Sequence, residues 1–286
     1  DPHIAHAGLI YRTDGQAALE RLYRSYLDVG RAFDLPMLTF TPTWRANPER
    51  LQAAGFTDGD DVNGDAFRFL SAIRDSYGEY ASRVMVGGLM GCAGDAYNPA
   101  EALSAEDAVL FHRQQVHALA DAGVDLLAAA TLPVAGEAVG IARAMAECAI
   151  PYLLGFVVRP AGTLLDGTPL SDIVSRIDVE VEPAPLGYMI NCVHPRVCME
   201  ALRHATGQDA SLRGRVLGLQ ANTSAKSPEE LDGLAHLDAT ESPEEFAEAM
   251  LSVHHRFGIK ILGGCCGTDD RHIRAIAERI RGQAAR

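Results

Sequence analysis

Two neighbouring cysteines, Cys265 and Cys266, lie in a glycine-rich run directly after an apolar segment of the chain. The run reads Gly-Gly-Cys-Cys-Gly-Thr from Gly263 to Thr268. Adjacent side chains of a regular strand point to opposite faces, so two neighbouring thiols could not share one ion there. Glycine adopts backbone angles that other residues avoid, and the flanking glycines could therefore aim both thiols the same way.

A third cysteine, Cys192, ends another apolar segment, in the run Asn-Cys-Val-His-Pro that begins at Asn191. Three thiolate ligands with one open position are the arrangement of a catalytic zinc site, because structural zinc is normally closed by four protein ligands. Packing roles for these cysteines, or a strained vicinal disulfide, stay open as alternatives. We expect Cys192, Cys265 and Cys266 to bind Zn²⁺ and to act in catalysis through it.

Such a site could activate a thiol. A free thiol has a pKa of about 8.5 and is mostly protonated at neutral pH, whereas the thiolate is the nucleophile. Coordination to zinc removes the proton, and three protein thiolates around a dication leave excess negative charge. That charge should keep a bound sulfur electron-rich and attract a cationic methyl donor.

The Gly-Gly-Cys-Cys-Gly-Thr run and the upstream Asn-Cys pair resemble the homocysteine S-methyltransferase family. The similarity extends over roughly residues 80–280 and includes the run Asp-Gly-Thr-Pro-Leu from Asp166 and the run Ala-Asn-Thr-Ser from Ala221. The resemblance implies a zinc-bearing (β/α)8 barrel that transfers a methyl group to a thiol, giving methionine or a thioether. The donor would be a small molecule of the S-methylmethionine, S-adenosylmethionine or betaine type.

The sequence departs from the family pattern at two places. The family usually opens with an acidic, glycine-rich first strand, and this chain has no such segment. The family also usually has Glu-Thr at the end of the fourth strand, where this chain has Ala130 and Thr131. An ammonium group in a partly dry pocket needs a carboxylate partner. The acceptor is therefore expected to be homocysteine or a related thiol, with an inactive zinc- and thiol-binding homologue as the alternative.

Further substrate contacts are expected at the ends of predicted strands, from Thr41, Trp44, Thr131, Asn222 and Gly264. The indole of Trp44 could face a methyl sulfonium through a cation–π contact. Cys92 could line the same rim, and Cys148 is read as a buried packing residue. Cys198 is expected to support a ligand, cap a helix or pack in the core rather than bind the metal itself.

These motifs need a scaffold that gathers strand ends at one rim. Seven near-continuous apolar segments read as parallel strands covered on both faces: Pro36–Thr41, Val84–Leu89, Leu126–Ala130, Tyr152–Val158, Gly187–Cys192, Val216–Ala221 and Ile259–Gly263. Helical patterns lie between them, at about Asp14–Gly30 and at Ala105–Ala122, Glu137–Cys148, Arg196–Thr206 and Pro243–Phe257. The alternation predicts an α/β fold, and the length suits a (β/α)8 TIM barrel whose active site lies at the carboxyl ends of the strands.

The strand count is one short of a closed barrel. The weak candidate Ala7–Tyr11 could close the barrel irregularly, but we favour a first strand upstream of Asp1. A doubly wound open sheet is the alternative, although no G-x-G-x-x-G follows a first strand. Loops are predicted at residues 59–64 and at Asp178–Pro185.

Bulk properties fit one soluble domain over residues 1–286. The hydrophobic content is 48% and the formal net charge is −13, which argues against binding to nucleic acid or to an anionic membrane. No apolar run reaches the length of a membrane span, and no secretory signal is visible. We therefore expect a cytoplasmic enzyme with a small thiol and a methyl donor as partners; a homo-oligomer is open.

Overall fold

The computed structural model describes residues 1–57, 59–209, 212–227, 230 and 241–284. Seven strands run through this part of the chain: β1 (Met37–Phe40), β2 (Val84–Met90), β3 (Leu126–Leu132), β4 (Tyr152–Phe156), β5 (Gly187–Val193), β6 (Val216–Ala221) and β7 (Ile261–Gly264). The α-helices are α1 (Thr13–Ala32), α2 (Pro48–Ala53), α3 (Val62–Asp75), α4 (Ala105–Asp121), α5 (Ala135–Ala146), α6 (Leu170–Glu180), α7 (Pro195–Gln208), α8 (Pro243–Phe257) and α9 (Asp270–Ala284).

The strands form one sheet in sequential order, β1 to β7, and each strand pairs in parallel with the next. Parallel neighbours in chain order, each joined by a helix, are the arrangement of a (β/α)8 barrel. The predicted fold class is confirmed, and each of the seven predicted strands lies where an observed strand lies.

All seven strands contribute to the apolar interior of this curled sheet. The interior cluster joins buried and partly buried side chains: Leu38, Phe40, Leu89, Leu126, Ala128, Leu153, Met189, Leu217 and Ile261. A larger cluster fills the layer between the outer face of the sheet and the helices. β3, β4 and β5 are buried along their whole length, as expected for strands covered on both faces.

The sheet ends at β1 and β7, whose residues are mostly half-buried. The helices beside these two edges, α1 and α9, pack against each other. Arg281 of α9 also donates hydrogen bonds to the backbone carbonyls of Phe33 and Asp34, just before β1. Helix packing and side chain–backbone hydrogen bonds therefore link the two edges.

Two sequence predictions about the start of the chain need correction or stay open. Ala7–Tyr11 is a 3-10 helix rather than a strand, because Ala7 and Ile10 are both buried and their three-residue spacing matches one turn of that helix. A first strand upstream of Asp1 stays a prediction.

The two predicted loops are shorter than expected. The loop at residues 59–64 ends early, because the Asp61 carboxylate accepts a hydrogen bond from the backbone N–H of Gly64 and starts α3 at Val62. The loop predicted at Asp178–Pro185 begins later, because α6 continues to Glu180.

Serine side chains cap the start of two helices. Ser104 caps α4, and Ser242 forms a capping box with Glu245 at the start of α8. Within the described ranges no helix has both the length and the apolar character needed to cross a bilayer.

Candidate functional site

The three predicted cysteines meet at the carboxyl rim of the sheet. The Sγ atom of Cys192 lies 3.1 Å from that of Cys265 and 3.7 Å from that of Cys266. The Sγ atoms of Cys265 and Cys266 are 4.0 Å apart. Among the residues that the structure describes, these cysteines form the one group of three or more His, Cys, Asp or Glu ligand atoms close enough to hold a metal ion.

Cys192 is aimed at the cluster by an irregularity at the end of β5. Its φ is 57°, in the left-handed region that residues with a Cβ rarely adopt. The register between β5 and β6 shifts between Asn191 and Val193. A strand bulge of this kind re-aims a side chain, so the thiol leaves the alternation of the regular strand.

The loop after β7 presents the other two thiols. The backbone N–H of Cys265 donates to the carbonyl of Ala221 at 2.7 Å, and the hydroxyl of Thr268 donates to the carbonyl of Cys265 at 2.7 Å. A Cβ at Gly264 would lie 2.1 Å from the Thr268 hydroxyl, so only glycine leaves room for this bond.

The expected backbone freedom of the flanking glycines is needed at only one of them. Gly267 has a φ of 81°, whereas Gly263 and Gly264 do not have positive φ angles. The turn that follows the thiols therefore depends on Gly267. Gly264 serves by leaving space rather than by adopting an unusual angle.

The three packed thiols favour a single negative charge. Hydrogen bonds from Cys192 and Cys265 lower the pKa of Cys266 to about 3. Hydrogen bonds to Cys192 and Cys266, together with burial, raise the pKa of Cys265 well above its ordinary value. The Cys192 thiol is pulled in both directions, down by its hydrogen bond with Cys265 and up by Cys266 and burial, with a net rise in pKa to about 12. A cation at the centre would let all three ionise.

The cluster fits a soft divalent cation. Thiolates are the ligands that select zinc and other thiophilic metals. Tetrahedral Zn²⁺ with Zn–S bonds of about 2.3 Å places its sulfurs about 3.8 Å apart. The three observed separations, 3.1, 3.7 and 4.0 Å, lie around that value.

Tyr97 contacts the cluster and was not predicted from the sequence. Its hydroxyl donates a hydrogen bond to the Sγ of Cys192 at 3.0 Å. Burial, with a smaller contribution from the three cysteines, raises the pKa of Tyr97, so the phenol keeps its proton. The residue lies in the long connection between β2 and α4, away from any strand end, and no spacing motif marks it.

Asn191 connects the site to the neighbouring strands. Its amide group donates to the side chain of Gln220 at 2.7 Å, and its carbonyl oxygen accepts from the backbone N–H of Thr131 at 3.3 Å. A Cβ at Gly155 would lie 1.6 Å from that oxygen, so the glycine leaves room for the amide. Thr131 also has a left-handed φ, 65°, at a register shift in β3. Asn191 thereby fixes two irregular strand ends beside Cys192.

The predicted contacts on the β1 side of the rim have partners within the protein. The Thr41 hydroxyl is buried and bonds with Thr43 and with the backbone N–H of Leu89, so its contacts give the predicted substrate role no support. The Trp44 indole donates to the carbonyl of Ala130 at 3.1 Å. The Arg45 guanidinium lies 4.4 Å from the Trp44 ring centre, so one face of the indole is already occupied and is not open to a cationic methyl donor.

Asn222 lies at the carboxyl rim of the sheet, directly after β6. The residue is buried, and its backbone N–H donates to the carbonyl of Val193, next to Cys192. Its side-chain oxygen has no hydrogen-bond partner within the described part of the chain. A buried acceptor left unpaired costs about 1–3 kcal/mol. This oxygen is therefore available to a donor group on a ligand, in line with the predicted role of Asn222.

The remaining cysteines lie outside the cluster. Cys92 is buried, its thiol contacts the carbonyl of Gly94, and burial raises its pKa to about 12. Cys198 is fully buried, and Cys148 is half-buried. Cys198 lies outside the ligand group, as predicted, whereas Cys148 is less buried than predicted.

Comparison with known proteins gives one family. A family model described as homocysteine S-methyltransferase matches residues 5–280. The homocysteine S-methyltransferase YbgG of Bacillus subtilis is 30% identical over 195 residues, which cover 66% of this chain and 57% of that protein. The homocysteine S-methyltransferase of Escherichia coli is 28% identical over 257 residues, which cover 84% of this chain and 78% of that protein.

A solved structure shares the fold. The metallated form of the homocysteine methyltransferase MmuM from Escherichia coli superposes with a TM-score of 0.75 at 24% sequence identity. The superposition covers 96% of this chain and 88% of that one. At this identity the likeness concerns the fold, which agrees with the barrel-type sheet described above.

Proposed function

The chain belongs to the homocysteine S-methyltransferase family, and on that basis we propose that it is a zinc-dependent S-methyltransferase with a thiol acceptor. The observation that carries the proposal is the cluster of Cys192, Cys265 and Cys266 at the carboxyl rim of the sheet. The acceptor would be homocysteine or a related thiol, and the product methionine or another thioether. The methyl donor would be a small molecule of the S-methylmethionine, S-adenosylmethionine or betaine type.

Zinc is the metal we propose for the cluster. Cys192, Cys265 and Cys266 would hold it, and when bound it would keep the acceptor sulfur deprotonated at neutral pH. Within the described residues the group has three members, which suits a site with one position left for a substrate. A purely structural zinc would need a fourth protein ligand.

The chain's own residues would orient the reactants. Tyr97 donates a hydrogen bond to Cys192 and would hold this ligand while sharing its negative charge. The side-chain oxygen of Asn222, which has no partner within the described part of the chain, would accept a hydrogen bond from a donor group on the thiol substrate. Holding two reactants in line at the rim lowers the entropic part of the barrier to methyl transfer.

The residue at position 130 bears on which head group the thiol substrate can have. Ala130 stands where relatives usually carry a glutamate for the substrate ammonium, and its carbonyl is engaged by Trp44. Because Ala130 has no carboxylate, a thiol without an amino group would leave no charged side chain unpaired at this position. Such a thiol would therefore lose little binding energy here. We therefore propose that related thiols are accepted beside homocysteine.

The experiment is a methyl-transfer assay with the zinc-loaded protein. A panel of thiols that includes homocysteine is combined with S-methylmethionine, S-adenosylmethionine, betaine and a methylfolate, and the thioether product is measured by mass spectrometry. We expect product from at least one pair, its loss in Cys266→Ser, and its retention in Cys148→Ser. Thiol binding without product across the whole panel would instead favour an inactive zinc- and thiol-binding homologue.

A further inference from the structure

A cavity of about 520 Å³ lies at the end of the sheet opposite the cysteines. It borders Val216, the first residue of β6, whereas Asn222 of the thiol site follows the last. Because β6 has six residues, the two sites are about 20 Å apart along the strand. The cavity is therefore separate from the thiol site.

Three arginines line this cavity, Arg203, Arg213 and Arg256, and no carboxylate is among the lining residues that the structure describes. None of the three guanidinium groups forms an ion pair or a hydrogen bond with the described residues, and that of Arg256 lies 5.9 Å from the centre of the Phe257 ring. Many arginines elsewhere on the surface are paired, for example Arg113 with Glu147 at 2.6 Å. A protein with a formal net charge of −13 thus gathers three unpaired guanidinium groups in one cavity.

Helix ends explain only part of this arrangement. α7 and α8 both end near the cavity, and a cation is favourable near the carboxyl end of a helix. That accounts for Arg256, which lies in the last turn of α8. It does not account for Arg203, which precedes the last turn of α7, or for Arg213, which lies in the connection before β6. Backbone N–H groups also pair with carbonyls near the ends of these helices. The N–H of Asp209 donates to the carbonyl of Ala205, and that of Gly258 donates to the carbonyl of His254.

The floor of the cavity is apolar, with Leu202, Leu212 and Phe257 among the lining residues. Its volume is in the range of about 300–1,000 Å³ that is usual for small-molecule sites. A guanidinium group offers a planar set of N–H donors that matches two phosphate oxygens at once. The cavity thus combines anion-binding donors at its rim with an apolar surface.

We propose that this cavity binds a small organic phosphate, with its phosphate group on Arg203, Arg213 and Arg256 and its apolar part against Leu202, Leu212 and Phe257. Phosphate is favoured over a carboxylate because three guanidinium groups can share a dianion with three equivalent oxygens. The site needs neither the metal nor the methyl-transfer activity, so it does not depend on the function proposed above.

The test is isothermal titration calorimetry of the full chain with AMP and with inorganic phosphate, at low and at moderate salt. We expect saturable binding of AMP, weaker binding of inorganic phosphate, and a dissociation constant that rises with salt. Arg213→Gln should weaken AMP binding about tenfold or more, and Arg213→Lys by less, because lysine keeps the charge but not the planar donors. Arg21→Gln is the matched control, since Arg21 is an exposed arginine on α1 outside the cavity.

Several results would overturn the proposal. Failure of both probes to saturate the protein below about 10 mM would do so. Equal weakening by Arg21→Gln and Arg213→Gln would also do so, because it would indicate general charge attraction. Equal affinity for inorganic phosphate and AMP would show that the apolar lining residues do not contribute to binding. Circular dichroism of each variant separates lost binding from lost folding, and unchanged AMP binding in Cys265→Ser would show that the site is independent of the thiols.

Discussion

At the scale of single residues, the central property of the site is the ionisation of three thiols in contact, those of Cys192, Cys265 and Cys266. Like charges a few ångströms apart repel strongly, and the pKa of Cys266 is lowered while those of Cys192 and Cys265 are raised. One thiolate stabilised by two thiols is the favoured state without a cation. A positive ion at the centre would favour ionisation of all three, and the close approach of the three sulfurs suits such an ion.

Tyr97 offers a test of this charge balance. Tyr97→Phe removes the hydrogen bond to the Cys192 sulfur without changing the ring. Residues that support a metal ligand typically contribute about 10–100-fold to metal affinity, so we expect the zinc dissociation constant to rise about tenfold in a chelator competition. Tyr80→Phe is the control, because it removes the hydroxyl bond to Leu35 away from the cysteines. Equal zinc affinity in wild type and Tyr97→Phe would contradict the role.

We propose that Ala130 affects which thiol is accepted. Ala130→Glu would supply a carboxylate to a substrate ammonium, and we expect kcat/KM for homocysteine, relative to the same thiol without its amino group, to rise about tenfold. Steady-state assays with the two thiols give this ratio. Ala130→Gln has the same size without the charge and should leave the ratio unchanged. An unchanged ratio in Ala130→Glu, or an equal rise in Ala130→Gln, would rule out this explanation of specificity.

At the scale of elements, irregular strand ends create the site. Cys192 and Thr131 have left-handed backbone angles inside strands, each at a register shift. Such conformations cost about 1–3 kcal/mol each and persist where surrounding contacts enforce them. Asn191 supplies such contacts by bonding Thr131 and Gln220. The regular parts of the strands provide the rim, and the bulges direct the side chains.

The sequence predicts the regular parts well and the irregular parts poorly, for a physical reason. A parallel strand covered on both faces must be apolar along its length, so seven apolar runs located all seven strands. The cysteine set was also visible, because its members lie at strand ends. Whether a single residue has a positive φ depends on its tertiary contacts, as at Cys192 and Thr131. The direction of a loop side chain such as Tyr97 depends on them as well.

The helix after the thiol loop is fixed by Asp269. Its carboxylate accepts from the backbone N–H of Arg271 at 3.0 Å. The Arg271 guanidinium, with help from His272, lowers the pKa of Asp269 to about 2. Asp269→Ala should therefore lower the free energy of unfolding by about 1 kcal/mol at pH 7, measured by urea denaturation. Because the folded pKa is depressed, this contribution is full above the unfolded pKa of about 3.9 and is lost as pH falls towards 2.

Asp270→Ala is the control for this capping interaction. Asp270 is the first residue of α9 and also acidic, but the cap hydrogen bond belongs to Asp269. An equal loss of stability in both variants would show that general charge near the helix start, and not the cap, is responsible.

At the scale of the whole molecule, we propose that residues 1–286 form one domain. The interior cluster draws on all seven strands, and α1 packs against α9 across the sheet edges. A continuous core of this kind should unfold as one cooperative unit. We expect the urea transitions followed by far-ultraviolet circular dichroism and by Trp44 fluorescence to coincide. Two separated transitions would contradict a single domain.

Elemental analysis of the purified protein measures whether Cys192, Cys265 and Cys266 bind zinc. We predict about one zinc ion per chain, lost in Cys265→Ser and in Cys266→Ser. Cys148→Ser should keep the metal, because Cys148 lies outside the cluster. Zinc retained at the wild-type level in both Cys265→Ser and Cys266→Ser would contradict the account.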